Sequence, residues 1–342
     1  MKAYLQEIAY YLPIQIINNK DINEKHPEWS IEKIALKTGI VNRHIAARDE
    51  TSLTMAEKAC NILFETSIYK KEDIDYVILC TQSPDYFLPT SACILQDKLQ
   101  LSNNCGALDI NLGCSGFVYG LGLAKGLIAS EQATNVLLVT SETYSKFIHE
   151  NDKSNKTIFG DAAAATIISS ETMKGTLNAE ILKFNYGTDG SGSDYLIVKN
   201  GAIKNPNNKM ADDEFDEEGN FLKNDDFLFM NGKEIFNFTA KAVPILLDEN
   251  LQKNNYSLDD IDLFIFHQAN EFMLNFIRNK CKIPKEKFFV DIKNFGNTVS
   301  STIPIALKSA LDSGALENKK ILNLCGFGVG LSSGSVCLKF HN

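Results

Sequence analysis

The sequence predicts an α/β protein of two duplicated halves packed in layers, and three observations carry that expectation. First, apolar runs of strand length alternate with longer helical stretches. YVILC (76–80), ALDIN (107–111), NVLLVT (135–140) and AAAATIIS (162–169) form one set; LFIFH (263–267), FFVDI (288–292), KILNLC (320–325) and SVCLKF (335–340) form the other. Second, the sets match in order. DID recurs at 73–75 and 260–262, NLGC (111–114) aligns with NFGN (294–297), and VLLV (136–139) aligns with ILNL (321–324), at nearly constant spacing. Third, 342 residues exceed one ordinary core but suit two, here taken as 1–172 and 173–342. The period is far too long for a solenoid repeat.

Each element has its own justification. The runs of each set are short, rich in Val, Ile, Leu and Phe, and bounded by turn residues, as buried strands are. The last runs of the second half lie too close for a helical crossover, so that link is expected to be antiparallel. Between the second and third runs of each half, a glycine turn opens a helical stretch: GCSGFVYGLGLAKGLIAS after residue 112 and GNTVSSTIPIAL after 295. In an open α/β sheet, sites gather at the carboxyl ends of strands. Two such halves packed together would bring Cys114, His267 and Asn297 to one cleft.

Composition excludes several function classes. The chain is 44% hydrophobic and 23% charged, an ordinary globular balance. Of its formal charge of −9, the run at 211–226 (ADDEFDEEGNFLKNDD) carries −7, so the acidity is local. No basic stripe interleaved with aromatics appears, which argues against nucleic-acid binding. No apolar run reaches membrane-spanning length, and the opening stretch lacks a secretory leader pattern, so a cytoplasmic location is expected. Eight cysteines show neither CxxC pairs nor zinc spacing and read as reduced residues, with Cys80, Cys93, Cys325 and Cys337 in apolar stretches. The segment 205–228 has little to bury. It reads as a solvated loop or as a mobile cover over a substrate entrance.

Three residues carry candidate chemistry. Cys114 lies between Gly113 and Gly116, where a strand runs into a helical stretch; helix-start N–H groups there would favour thiolate. The same stretch equally suits a buried cysteine at a tight turn. His267 ends a fully apolar strand and must find a partner or face a cavity. A core histidine bonded to backbone answers to the same pattern. Asn297, in a glycine turn, suits a helix cap as well as a site donor. Histidine and asparagine can both donate a hydrogen bond to a developing oxyanion. GFGVGLSSGS (326–335) fits neither phosphate-binding fingerprint, and serves as a tight turn or as a close approach of backbone N–H to a reacting carbonyl. No GxSxG elbow supports a hydrolase.

Taken together, KTGIVNRHIA (37–46), LPTSAC (88–93), NLGCSGF (111–117), FGDAAAA (159–165), MNGKEIF (230–236), HQAN (267–270), FGNT (295–298) and GFGVG (326–330) resemble the β-ketoacyl-acyl carrier protein synthase III family over essentially the whole chain. The resemblance implies a thiolase-like fold and a decarboxylative Claisen condensation. Cys114 would take an acyl group from coenzyme A or an acyl carrier. Its own N–H and one from the 326–330 loop, which includes the expected substrate-binding residues Gly328, Val329 and Gly330, would hold the oxyanion. His267 and Asn297 would stabilise the enolate left when a malonyl-type thioester loses carbon dioxide. No metal or redox cofactor is implied. The resemblance also implies a homodimer, with Phe87 reaching the partner's acyl pocket, and a substrate path past Trp29, Lys37, Lys153, Asn270 and Phe272. Lys37, Lys153 and Phe272 stand where the family commonly carries arginine, and lysine is a weaker phosphate fork. Those departures point towards a primer other than acetyl-coenzyme A, in fatty-acid-related or specialised lipid, glycan or metabolite biosynthesis. Acyl transfer to an oxygen, nitrogen or preformed carbon nucleophile is the nearest alternative, and a non-catalytic acyl-carrier-binding subunit is one of another class.

Overall fold

The computed structural model describes residues 1–172, 177–206 and 210–341. The expected boundary at 172/173 abuts residues outside that description, as do residues 207–209 of the expected cover.

In the first half, β1 (Tyr4–Tyr11) is followed by an excursion of β2 (Gln15–Asn18), α1 (Asn19–Lys25), α2 (Ile31–Thr38) and β3 (Asn42–Ile45). Local chemistry sets its bounds. Asn18 and Asp21 form a reciprocal capping box at α1, and Ser30 caps α2, which stops where Gly39 turns left-handed at φ +72°. Then come α3 (Ser52–Thr66), β4 (Tyr76–Cys80), α4 (Ser91–Leu99), β5 (Gly106–Ile110), α5 (Gly116–Ala129), β6 (Asn135–Glu142), the single turn α6 (Lys153–Lys156) and β7 (Ala162–Ser169).

The second half opens with β8 (Ala179–Thr188). The short strands β9 (Leu196–Val198), β10 (Glu214–Phe215), β11 (Phe221–Lys223) and β12 (Leu228–Met230) follow, and pair among themselves as β9 with β12 and β10 with β11. The chain continues through α7 (Gly232–Lys253), β13 (Leu263–Phe266), α8 (Glu271–Lys280), β14 (Phe288–Phe289), α9 (Thr302–Asp312), β15 (Ile321–Gly328) and β16 (Ser332–Phe340).

Ten strands form one sheet in the order β14-β13-β15-β16-β8-β1-β7-β6-β4-β5, which reads the same from either end once the halves are superposed. In each half two strands flank a neighbour in parallel, β5 and β6 beside β4, and β14 and β15 beside β13; the closing pairs, β6–β7 and β15–β16, are antiparallel. β1 and β8 join at only two residue pairs, so two five-stranded sheets diverge from that seam.

α5 and α9 fill the space between the sheets. Phe117, Val118 and Leu121 of α5 and Ile303, Ala306 and Leu307 of α9 are fully buried against strands from both halves. Each of the larger side chains contributes about 1.5–3 kcal/mol by leaving water. α3 and α4 cover the outer face of the first sheet, and α7 and α8 that of the second. Five layers result, with the first turns of both central helices meeting at the carboxyl ends of the strands.

The segment after β9 is more structured than its acidic composition predicted. Phe221 stacks on His149 with ring centroids 4.5 Å apart, Phe227 meets the same ring edge-on at 4.7 Å, and Asp213 lies 3.4 Å from His149 Nε2. Three aromatic rings and a polar contact hold this segment to the first half. The cysteine expectation needs one correction: Cys60, Cys80, Cys114, Cys325 and Cys337 are buried, but Cys93 is exposed on α4. All eight are free thiols. Among the described residues, no helix is long and apolar enough to cross a membrane.

Candidate active site

Cys114 ends the turn after β5, one residue before the Ser115 that opens α5. It is 5% exposed and faces the end of β15. A Cβ on Gly328 would lie 2.8 Å from both the Cβ and the Sγ of Cys114, so only glycine permits this approach. The approach brings the Val329 N–H to the sulfur, where it and the N–H of Cys114 itself both lower the thiol pKa. Burial nevertheless prevails and pushes the thiol up to about 12. This corrects the sequence reading. A helix start and two N–H groups favour thiolate, but an enclosed, water-poor site without a cation costs the charged form more.

His267 follows β13, its own N–H donating to the Cys325 carbonyl at 2.8 Å. Burial lowers its pKa to about 3, which keeps the ring neutral. Nδ1 lies 2.7 Å from the hydroxyl of Thr302, the first residue of α9, and that hydroxyl is also 3.1 Å from the Val299 carbonyl. A hydroxyl has one hydrogen. Given to Nδ1, it leaves the ring's single proton on Nε2; given to Val299, it leaves that proton on Nδ1. The closer approach is to the ring.

Asn297 sits on a loop pinned to the first half. Its N–H donates to the Ile158 carbonyl at 2.9 Å, and its carbonyl accepts from Gly160 at 3.0 Å. Gly296 permits this turn at φ +67°, where a Cβ would meet the Ile158 oxygen at 2.9 Å. Val299, β-branched yet at φ +56°, donates its N–H to Asn297 Oδ1 at 2.9 Å. With Oδ1 engaged, the amide presents Nδ2–H₂ as its free donor.

These three residues line one cavity of about 130 Å³, together with Phe159, Phe327 and Gly328. Ile158 and Asn270 join it to a larger cleft of about 520 Å³ that also borders Trp29, Lys37 and Phe272. Lys37 Nζ lies 5.6 Å from the Trp29 ring centroid. Ser154 lines this cleft, while its neighbour Lys153 forms an ion pair with Glu28. The free phosphate-binding charge expected of Lys153 is therefore already partnered. Asn270 caps α8 through Oδ1, accepting from Met273 N at 2.8 Å. Phe272 is 63% exposed and stacks on Phe236 at 6.0 Å. Phe87 does not line this cleft and is 78% exposed on a loop; Gly330 leads into β16.

Three further residues escaped the sequence reading. Thr302 stands five positions after Asn297. Gln82, after β4, lines a second cavity beside Val329. Glu142 ends β6 fully buried and accepts from Gln82 N and the hydroxyls of Ser83 and Ser300 at 3.1–3.2 Å. It ties the loop after β4 to the loop that carries Asn297. An acid closing an apolar strand is the same signal that singled out His267.

Comparisons with known proteins show the family. A family model described as 3-oxoacyl-[acyl-carrier-protein (ACP)] synthase III matches residues 108–190, and its C-terminal counterpart matches 251–340. The chain is 36% identical to beta-ketoacyl-[acyl-carrier-protein] synthase III of Clostridium perfringens over 96% of each chain. It is 33% identical to the protein of that name from Fusobacterium nucleatum over 98% of each. A crystal structure of a 3-oxoacyl-(acyl-carrier-protein) synthase III superposes with a TM-score of 0.95 at 45% identity, covering 100% of both chains. The 3-oxoacyl-(acyl-carrier protein) synthase of Burkholderia xenovorans superposes at 0.88 with 34% identity, covering 99% of this chain and 94% of its own.

Proposed function

The chain belongs to the 3-oxoacyl-[acyl-carrier-protein] synthase III family of condensing enzymes, and from that premise we propose how its residues divide the work. Cys114 attacks an acyl thioester held in the cleft past Trp29 and Lys37. The Val329 and Cys114 N–H groups receive the oxyanion, the acyl group stays on sulfur, and the cysteine's proton leaves with the departing thiol. A malonyl-type thioester then enters. Nε2–H of His267 and Nδ2–H₂ of Asn297 hold its thioester carbonyl while carbon dioxide departs; the enolate attacks the acyl carbonyl on Cys114, the acyl–sulfur bond breaks to release a β-ketoacyl product, and the expelled thiolate regains its proton from water. Thr302 donates to Nδ1 and so keeps the proton on Nε2. In this reading the enzyme works in carbon-chain assembly of the fatty-acid type, with coenzyme A and acyl-carrier thioesters as its substrates, and no further cofactor is proposed.

The observation that carries this reading is the meeting of a nucleophile, a neutral histidine and an oriented amide around one cavity. Two donors facing one carbonyl favour decarboxylation over simple transfer to an alcohol or amine. A cysteine packed against two N–H groups argues against a purely carrier-binding subunit. Separate assays of acyl loading and malonyl decarboxylation test the division: Cys114→Ala should abolish only the first, and His267→Ala only the second.

A second copy of the chain completes the assembly in this proposal. β5 ends the ten-stranded sheet with an unpaired edge and half-buried residues, and beside it Tyr86, Phe87 and Leu88 stand 60%, 78% and 82% exposed. Three successive apolar side chains in water next to a free edge call for a partner. Sedimentation at micromolar concentration should show a dimer; an active monomer would refute it. The enzyme works in the cytoplasm in this reading, where its carrier substrates reside.

A further inference from the structure

The second cavity adjoins the Cys114 cavity through a shared wall at Leu196. Its volume is about 240 Å³, and its walls are mostly apolar, with Leu196, Val198 and Val329 among them. Leu196 also lines the Cys114 cavity, and the N–H of Val329 acts on the sulfur. A Cβ built on Gly113, the residue before Cys114, would lie 2.5 Å from Gln82 Oε1 and 2.7 Å from Val329 Cγ1. An acyl group on Cys114 that turns away from the cleft therefore passes between Val329 and Gln82.

Polar groups interrupt this apolar wall at a fixed place. Tyr144 donates its hydroxyl to Gln82 Oε1 at 2.6 Å, and buried Glu142 holds the Gln82 backbone N–H with both oxygens. The Gln82 amide is thereby oriented, with Nε2 left over. Among the described residues, neither Gln82 Nε2 nor the side chain of Asn111, on the same cavity, has a hydrogen-bond partner. An idle Gln82 Nε2 next to a nucleophile is wasteful for a plain alkyl chain, because covering it with methylenes leaves its polar atom unsatisfied, whereas exposed Asn111 can keep water until a polar group reaches it. A group that both accepts and donates would satisfy them. No charged residue lines the cavity, so a carboxylate or ammonium has no counterion there.

We propose that this enzyme is primed by a short hydroxyacyl group whose hydroxyl accepts from Gln82 and donates to Asn111. The proposal deepens the condensing reading above and rests on it. At roughly 30 Å³ per water-sized volume, the cavity admits about eight such volumes. A hydroxybutyryl group, with six non-hydrogen atoms, fits; a medium-length fatty chain does not. The condensation is unchanged, with the new carbon–carbon bond forming at the acyl carbonyl and the hydroxyl surviving into a hydroxy-β-ketoacyl product.

The test compares kcat/KM for butyryl-, 3-hydroxybutyryl- and 4-hydroxybutyryl-coenzyme A with a malonyl carrier, alongside intact mass of the acyl-enzyme. One hydroxylated primer should exceed butyryl by about tenfold or more, as one satisfied buried hydrogen bond predicts. Gln82→Met, which keeps length and loses the amide, should bring the ratio to about one or below. Asn111→Ala, at an exposed position that folding tolerates, should lower it severalfold. Butyryl preferred over both hydroxylated primers by the wild type, or a preference unchanged in both variants, overturns the proposal while leaving the condensing reading intact. Failure of both hydroxylated primers to load Cys114 would overturn the proposal in the same way.

Discussion

Replacing Gly328 by alanine perturbs the geometry at the nucleophile more directly than any other single methyl group. The added Cβ would stand 2.8 Å from the Cβ and Sγ of Cys114. Carbon and sulfur contacts settle at about 3.5–4.0 Å, so something must give by roughly 0.7–1.2 Å. Neither neighbour is a flexible chain end: Gly328 closes a strand hydrogen-bonded along its length, and Cys114 lies at a turn locked into α5. The sulfur or the Val329 N–H must therefore move. Losing one oxyanion donor costs about 10²–10³ in rate, and a misplacement of about 1 Å is worth some 10² by itself. Overpacking should cost a further 1–3 kcal/mol or so of stability, which leaves a folded protein. The assay is time-resolved intact mass of the acyl-enzyme, with malonyl decarboxylation measured in parallel. Gly328→Ala should load acyl groups at least about 100-fold more slowly and retain most of its decarboxylation. Loading at the wild-type rate would show that the β15 backbone does not form the oxyanion site.

Other perturbations separate the remaining parts. His267→Ala and Asn297→Ala should each lose about 10²–10³ in malonyl decarboxylation with acyl loading kept, and Thr302→Val should lose about tenfold, rescued by Thr302→Ser; normal decarboxylation by Asn297→Ala would remove its role. Glu142 should make stability fall as pH rises. Burial lifts its pKa from 4.5 to about 8, so between those values the folded chain keeps a proton that the unfolded chain has released. His267, lowered from 6.5 to about 3, acts with the opposite sign below pH 6.5, and Asp161, raised from 3.8 to about 6, adds to the decline mainly below pH 7. Urea titrations from pH 6.5 to 8 should show a decline that Glu142→Gln flattens; equal slopes would refute the assignment. Phe272→Arg should raise turnover with acyl-carrier substrates at low salt, with the gain fading above about 0.15 M; no gain at any ionic strength would mean that carrier docking does not pass this helix.

The layered α/β architecture and the three central residues were legible because they rest on local signals: apolar runs of strand length, glycine turns at their ends, and polar residues where apolar ones are expected. Sheet order was legible only as a duplication, since β1 and β8 meet at two residue pairs that no local pattern marks. What the sequence hid depends on distance along the chain. Lys153 looks like a free cation until Glu28, 125 residues earlier, is folded against it. The acid run at 211–226 is mostly exposed, as expected, but its anchor shows only when Phe221 and the following Phe227 meet His149. The Cys114 thiol reads as acidic from its helix start, because burial, the larger influence, is a property of the closed site. Thr302, Gln82 and Glu142 act through partners brought from other strands, so none forms a motif of its own.

The central claim is that Cys114 carries an acyl group which a decarboxylated malonyl thioester then removes. Intact-protein mass spectrometry with peptide mapping tests it in one experiment, by exposing the enzyme to an acyl thioester and then to a malonyl thioester. The account predicts a mass gain equal to the acyl group, confined to the peptide that contains Cys114, and its discharge as a β-ketoacyl thioester when the malonyl donor is added. Acylation mapped to another residue, or a Cys114→Ala protein that still acquires the mass, would contradict it.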